Sequence, residues 1–314
     1  MLRFYAADAV HAALDTPRLV AALEQAFRVG AQVPLRHVHA LGQDDLLLLM
    51  PAWRDGGAHG AGALGVKLVT VMPGAAARGA STVAALYVLL DRATGEPRAV
   101  IDGEAMTLRR TAAASALAAR HMARSNCASL LVIGTGKLAP YMLRAHCALR
   151  PALTQVRLWG RNASAAQALA AKLREEGLAV EAAPDLESAV RAADIVTCAT
   201  TATTPIVHGG WLREGTHLDL VGGFTRAMRE VDDAAVARAR IVVDTYAGAL
   251  AEAGDVVVPL DSGACKREQI VAELAELVRG ERQGRTNDRE ITLFKSVGTA
   301  LEDLAAAELV AAGV

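Results

Sequence analysis

Residues Leu130–Ala145 read LLVIGTGKLAPYMLRA. An apolar run of strand length ends in Gly134, Gly136 and Ala139, spaced GxGxxA, and a helical pattern follows at once. In that setting the three small residues serve three purposes, namely a tight turn, close approach of backbone to a pyrophosphate, and close packing of helix on strand. The helix N terminus adds partial positive charge for the phosphates. A P-loop is excluded, because the glycines lack four intervening residues and Leu138 stands where Ser or Thr must hold magnesium. Gly134, Thr135, Gly136, Lys137, Leu138 and Ala139 are therefore the expected cradle of a dinucleotide.

Downstream, VRLWG, ADIVTCAT, THLDLVG and RIVVDT repeat the apolar strand pattern, several of them separated by helical runs. Such alternation predicts a parallel, doubly wound sheet covered on both faces. Further cofactor contacts are expected where strands end, at Thr200 and Thr201 after one strand and at Val221 and Gly222 after the next. Upstream the character differs. A helix is predicted over Thr16–Val29, with Thr16 as cap and Pro17 at the first helical position. Then VPLRHVHAL, DDLLLLMPAW, ALGVKLVTVMPG and STVAALYVLLD read as short strands between Gly, Asp and Pro turns, and DRATGEPRAV closes like a hairpin. This half is expected to form a mixed or mostly antiparallel sheet, followed by an Ala-rich helix over Ala105–Ala123. The last segment, GTALEDLAAAELVAAG, reads as an amphipathic helix.

The 314 residues suit two domains, and 53% apolar with 21% charged residues suits a globular chain. A formal net charge of -1 with interspersed signs gives no field favouring nucleic acid or an anionic membrane, so neither is an expected partner. Cys127, Cys147, Cys198 and Cys265 are scattered without CxxC spacing, which fits buried thiols in a reducing compartment. No signal peptide or membrane span is legible, and the cytoplasm is the expected location. His37 and His39 lie two apart in a strand, but no third ligand has recognisable spacing, so no metal is expected.

The strand VRLWG ends in Gly160, Arg161 and Asn162, where an NAD-specific fold offers Asp or Glu to the ribose. An arginine there can take the extra phosphate of NADP through charge-assisted hydrogen bonds. NADP(H) is the preferred cofactor on this reading, with NAD(H) possible.

Several segments together resemble the ornithine cyclodeaminase and mu-crystallin family: GVKLVTVMPGAAARGASTVAALYVLLDRATGEPRAVIDGEAMTLRRTAAASALAARHMAR, VIGTGKLA and ITLFKSVGTALEDLAAAELV. The resemblance covers nearly the whole chain. It implies a Rossmann domain inserted into a second α/β domain with a mixed sheet: residues 117–289 within 1–116 plus 290–314. It also implies homodimers formed through the second domain, and an amino or imino acid meeting the nicotinamide in the cleft between domains.

Carried over by motif, Arg36 in VPLRHV and Arg110 in TLRRT look like the residues that bind a substrate carboxylate. A planar guanidinium suits that role, each charge-assisted contact being worth about 1.5–3 kcal/mol. Arg109 falls at a different helical angle and reads as structural. Lys67, alone in the apolar run ALGVKLVTV, matches the family's GxK pattern and is expected to bind substrate or move a proton, with Arg110 as its catalytic companion. Thr82, in ASTVAAL, is similar to a family position near substrate and cofactor.

One departure from the family directs the choice of reaction. Relatives that oxidise an amine and expel ammonia carry an aspartate after the paired small residues, whereas this chain reads VGGF, with Phe224 at that place. A phenyl ring moves no proton, and losing a general acid or base costs on the order of 100- to 10,000-fold in rate. A preformed cyclic imine is less demanding, because its nitrogen can be protonated before hydride reaches the neighbouring carbon. The expected activity is reduction of pyrroline-2-carboxylate to L-proline or piperideine-2-carboxylate to L-pipecolate, with Phe224 against the ring. The alternatives are ornithine cyclodeamination, with Glu230 or Asp232 replacing the missing acid, and a crystallin-like ligand-binding protein without turnover.

Overall fold

Val, Ile and Leu dominate the strand segments of the second half on both faces, so those strands need cover on both sides. The computed structural model describes residues 2–42, 44–57 and 62–313. In chain order the elements are β1 (Arg3–Tyr5), α1 (Ala7–Ala13), α2 (Thr16–Val29), β2 (His37–Gly42), β3 (Asp45–Arg54), β4 (Ala63–Val71), β5 (Val83–Asp91), β6 (Pro97–Asp102) and α3 (Gly103–Met122). They continue with β7 (Ser129–Ile133), α4 (Ala139–Leu149), β8 (Gln155–Trp159), α5 (Ala163–Glu175), β9 (Val180–Ala182), α6 (Leu186–Ala192), β10 (Ile195–Cys198), β11 (His217–Leu220), α7 (Asp233–Ala237) and β12 (Ala239–Val243). The last are α8 (Tyr246–Glu252), α9 (Gly254–Ser262), β13 (Ile270–Glu273), α10 (Leu274–Val278), β14 (Ile291–Lys295) and α11 (Ala300–Ala312). Short 3-10 turns lie at Pro73–Arg78, Gly209–Trp211 and Arg267–Gln269.

Two units result, Met1–Thr111 with Thr299–Val314, and Ala112–Gly298. The second contains an eight-stranded parallel sheet, ordered β13-β12-β14-β11-β10-β7-β8-β9. Strand order reverses between β7 and β10, the place where such sheets hold a ligand at their C-terminal ends. The division falls at 111/112 and 298/299 rather than at 116/117 and 289/290. The late boundary moves because ITLFK is strand β14, wedged between β11 and β12, so its hydrogen bonds belong to the parallel sheet.

The first unit holds a six-stranded mixed sheet, β1-β6-β5-β4-β3-β2, with β1 parallel to β6 and every other pair antiparallel. Register sets Met50, Lys67, Tyr87, Ile101 and Tyr5 side by side in one buried row, on the face where α11 packs on β3, β4 and β5, with α2 against α11. Two details depart from the sequence reading. Helix α2 is capped by Asp15, whose carboxylate accepts the Arg18 N–H at 3.2 Å, because Thr16 already has helical geometry. Helix α11 is buried almost all round rather than amphipathic, Glu302 and Asp303 included.

Among the described residues no helix is long and apolar enough to cross a membrane, and no group of three or more His, Cys, Asp or Glu side chains could hold a metal ion. The four cysteines are free, and all but Cys147 are buried.

Candidate active site

In the parallel-sheet unit the turn after β7 is fixed from both sides. Gly134 has φ +125°, and a Cβ on it would come within 2.5 Å of the Ala199 carbonyl oxygen at the end of β10. Its N–H donates to Trp159 O at 2.8 Å. At the tip of β8, a Cβ on Gly160 would meet Thr135 Cγ2 at 2.5 Å, so glycine there lets the two strand ends touch. Above Gly136 there is room, since a Cβ would find nothing within 4 Å. Helix α4 starts at Ala139 with Leu138 as its N-cap residue, and Lys137 precedes them. Open space over a glycine turn at a helix N terminus fits a pyrophosphate. Arg161 is exposed beside the turn, whereas the Asn162 side chain caps α5 by accepting the Ala165 N–H at 3.0 Å.

The loops after β10 and β11 meet over one buried carboxylate. Glu230 Oε1 accepts the Thr200 N–H and hydroxyl, both at 2.8 Å, and Oε2 accepts the N–H groups of Gly222 at 3.0 Å and Gly223 at 3.3 Å. A Cβ on Gly222 would lie 2.1 Å from Thr200 O, so only glycine allows this approach. Asp255 Oδ1 in turn accepts the N–H groups of Glu230 and Val231, while Lys295 Nζ donates to Asp255 Oδ2 at 2.9 Å. Burial pushes the Glu230 carboxyl above its ordinary range, and Lys295 opposes that shift. Burial alone would depress Lys295, but Asp255 and Glu230 outweigh it and hold the ammonium above its usual value. Thr201 is exposed, Val221 is buried, and Phe224 is half-buried against the apolar core of this unit.

Neither acid considered as a replacement for the family aspartate stands ready to exchange protons. Glu230 is wholly buried under its donors, and Asp232 caps α7 through Ala235 while also accepting from Gly209 N and bonding His208.

The other unit carries a buried ionic cluster. Lys67 Nζ pairs with Asp303 Oδ2 at 2.7 Å, and Arg110 donates from Nε to Asp303 Oδ1 at 2.9 Å and from Nη1 to Glu302 Oε2 at 2.6 Å. Lys67 is 3% exposed and Arg110 4%. Burial, then Arg110, depress the Lys67 ammonium to about 8, against the pull of Asp303. Arg36, half-buried in the segment before β2, acts electrostatically on both Lys67 and Asp303. Tyr87 is paired with Lys67 across the sheet; burial, then Asp303, push its hydroxyl up. The glycine of GVK has its reason here, because a Cβ on Gly65 would strike the Tyr87 hydroxyl at 2.2 Å.

Arg36, Lys67 and Arg110 therefore come together around the carboxylates of Glu302 and Asp303. Thr82 is not among them. It is exposed at the approach to β5, five residues from Tyr87, about 16 Å at the rise of a strand. Arg109 is structural, its Nε donating to His11. The sequence reading missed Glu302, Asp303 and Tyr87. Adjacent acids in an otherwise apolar helix were the available signal, since buried charges are paired.

Fold and site together define a Rossmann-type dinucleotide-binding protein whose mixed-sheet unit carries a buried ionic cluster. The chain belongs to the ornithine cyclodeaminase/mu-crystallin family, whose model matches residues 4–313. It is 36% identical over 319 residues to the Delta(1)-pyrroline-2-carboxylate reductase of Colwellia psychrerythraea, covering 98% of each chain. Among solved structures it resembles the Thermococcus litoralis Delta(1)-pyrroline-2-carboxylate reductase in complex with NADH and L-proline, with a TM-score of 0.90, 34% identity and 98% and 96% of the two chains covered. An archaeal alanine dehydrogenase dimer with bound NAD is similar at a TM-score of 0.88 and 30% identity, over 99% and 95% of the chains.

Proposed function

We propose that this chain reduces a small cyclic imino acid with NAD(P)H, giving L-proline from pyrroline-2-carboxylate or L-pipecolate from piperideine-2-carboxylate. The observation that carries the reading is the buried cluster of Lys67, Arg110, Glu302 and Asp303 with Arg36 beside it, which gathers three cationic side chains in one place. Arg36 and Arg110 take the substrate carboxylate, and the plane of the Arg110 guanidinium is fixed by Glu302 and Asp303. Lys67 holds a proton on Nζ for the imine nitrogen, and its depressed pKa of about 8 makes it a better acid than a solvated lysine. The dinucleotide, when bound, supplies the hydride for the neighbouring carbon. Gly134 to Ala139 hold its pyrophosphate, and Phe224, which moves no proton, leaves ammonia expulsion without an acid at that position of the chain.

Exposed Arg161 and the missing acid at the β8 tip favour NADP(H) over NAD(H). The chain acts as a cytoplasmic homodimer, joined through the outer face of its mixed sheet, where Phe4, Leu68 and Leu86 are exposed. The test is oxidation of NADPH and NADH with both imino acids, beside ammonia release from ornithine. Turnover of either imine with no ammonia above background is expected; robust ammonia release would replace this reading with cyclodeamination.

A further inference from the structure

Glu230 lies in a part of the chain that cofactor fingerprints do not reach, yet it gathers more hydrogen bonds at the strand ends than any residue of the GxGxxA turn. Its two carboxylate oxygens collect four donors from two separate loops: Thr200 N and Oγ1 behind β10, Gly222 N and Gly223 N behind β11. Those loops follow the strands on one side of the β7/β10 reversal, while the phosphate turn and Arg161 lie at the ends of β7 and β8. A dinucleotide lying across such a reversal places one nucleoside half on each side. With the ribose-reading tip at β8, the nicotinamide half falls to the loops that Glu230 joins. Beneath it, Asp255 holds the Glu230 and Val231 N–H groups and is itself held by Lys295, whose Nζ would be 3.3 Å from a Cβ on Gly223.

We infer that Glu230 is a positioning residue for the nicotinamide half of the cofactor, clasping the Thr200 and Gly222–Gly223 loops into one surface with Asp255 and Lys295 as its footing. The inference deepens the dinucleotide reading and rests on it. A carboxylate is suited to this role because it accepts at both oxygens. An amide of the same shape would turn two of its own hydrogens toward donors, which costs far more than losing a bond. None of the four bonds of this clasp is made to the turn after β7 or to the tip of β8, where the pyrophosphate and adenosine are read.

The experiment compares NADH, NADPH and ADP-ribose binding to the full-length wild type, Glu230→Gln and Thr200→Val. ADP-ribose keeps the pyrophosphate and adenosine but has no nicotinamide. In Glu230→Gln, affinity for the reduced dinucleotides should fall about tenfold or more while ADP-ribose changes less than about twofold, as expected when charge-assisted bonds serving one half are lost. Thr200→Val removes the hydroxyl bond to Glu230, together with the long one from Ala202 N, and should show the same selectivity at smaller size. It also covers the case in which Glu230→Gln fails to fold. Equal loss for dinucleotides and ADP-ribose, or no loss in either variant, overturns the inference. A wild type that binds none of the three overturns the dinucleotide reading itself.

Discussion

Lys67 carries the sharpest chemical demand on a single side chain, because donation to an imine needs an ammonium and burial works against one. A lysine ordinarily ionises at 10.5, and Lys67 does so at about 8. If its proton reaches the substrate, kcat/KM should decline as pH rises through about 8, since that ratio reports the free enzyme. Asp303 is the partner that raises the value, so Asp303→Asn should move this limb to lower pH. Lys67→Arg should abolish the limb, at a cost on the order of 100-fold or more in rate, because a guanidinium does not deprotonate in this range. A basic limb unmoved in both variants would show that another group titrates. The stability sign is opposite to that of activity. The folded value lies below the unfolded one, so between about 8 and 10.5 the unfolded chain binds more protons, and the Lys67 contribution to stability rises with pH there. At the tip of β8, Arg161→Asp should lower kcat/KM for NADPH relative to NADH, by roughly tenfold for one lost charge-assisted contact; an unchanged ratio would leave Arg161 without a role in cofactor choice.

Turns and strand ends do the positioning around the dinucleotide turn at the scale of single elements. Gly134→Ala meets two obstacles at once, a φ of +125° and the Ala199 carbonyl at 2.5 Å, so either the turn or β10 must shift. Loss of dinucleotide binding is expected, together with destabilisation of about 1–3 kcal/mol, readable by titration and by denaturant unfolding. Asp15→Ala, which removes the α2 cap and an exposed ion pair with Arg18, should cost about 0.5–2 kcal/mol and leave cofactor binding intact. The GxGxxA turn was legible because its residues are consecutive and backbone geometry dictates their identity. The clasp by Glu230 was not legible, because its donors are backbone N–H groups on two loops, and nothing in their sequence names the acceptor. Likewise Lys67 stood out as a charge in an apolar strand, but its partner Asp303 is 236 positions away, and only the packed helix reveals the pair. Strand β14 escaped for a related reason: periodicity shows a strand, while its place between β11 and β12 is set by pairing with strands far off in sequence.

For the whole molecule, the outer face of the mixed sheet is the feature that a lone chain does not explain. An antiparallel sheet with one face on a core normally alternates apolar with polar. Here the outward row Phe4, Val100, Val88 and Val66 is apolar throughout, and the next row runs through Leu86, Leu68 and Leu49. Phe4 is 66% exposed, Leu86 47% and Leu68 37%. Contiguous apolar surface of this kind marks an interface, and self-association through one shared patch gives a two-fold dimer, the commonest symmetric oligomer. A charge in such a patch would be stripped of water on both sides of the symmetry axis, so one substitution acts twice. Leu68→Lys with Leu86→Glu should therefore convert a dimer to a monomer in sedimentation-velocity runs. The buried row on the opposite face, Met50, Lys67, Tyr87 and Ile101, is not touched by these changes, so the far-ultraviolet circular dichroism spectrum should be retained. A wild type that sediments as a monomer, or a variant that stays dimeric, would place the subunit contact elsewhere on the surface or remove it.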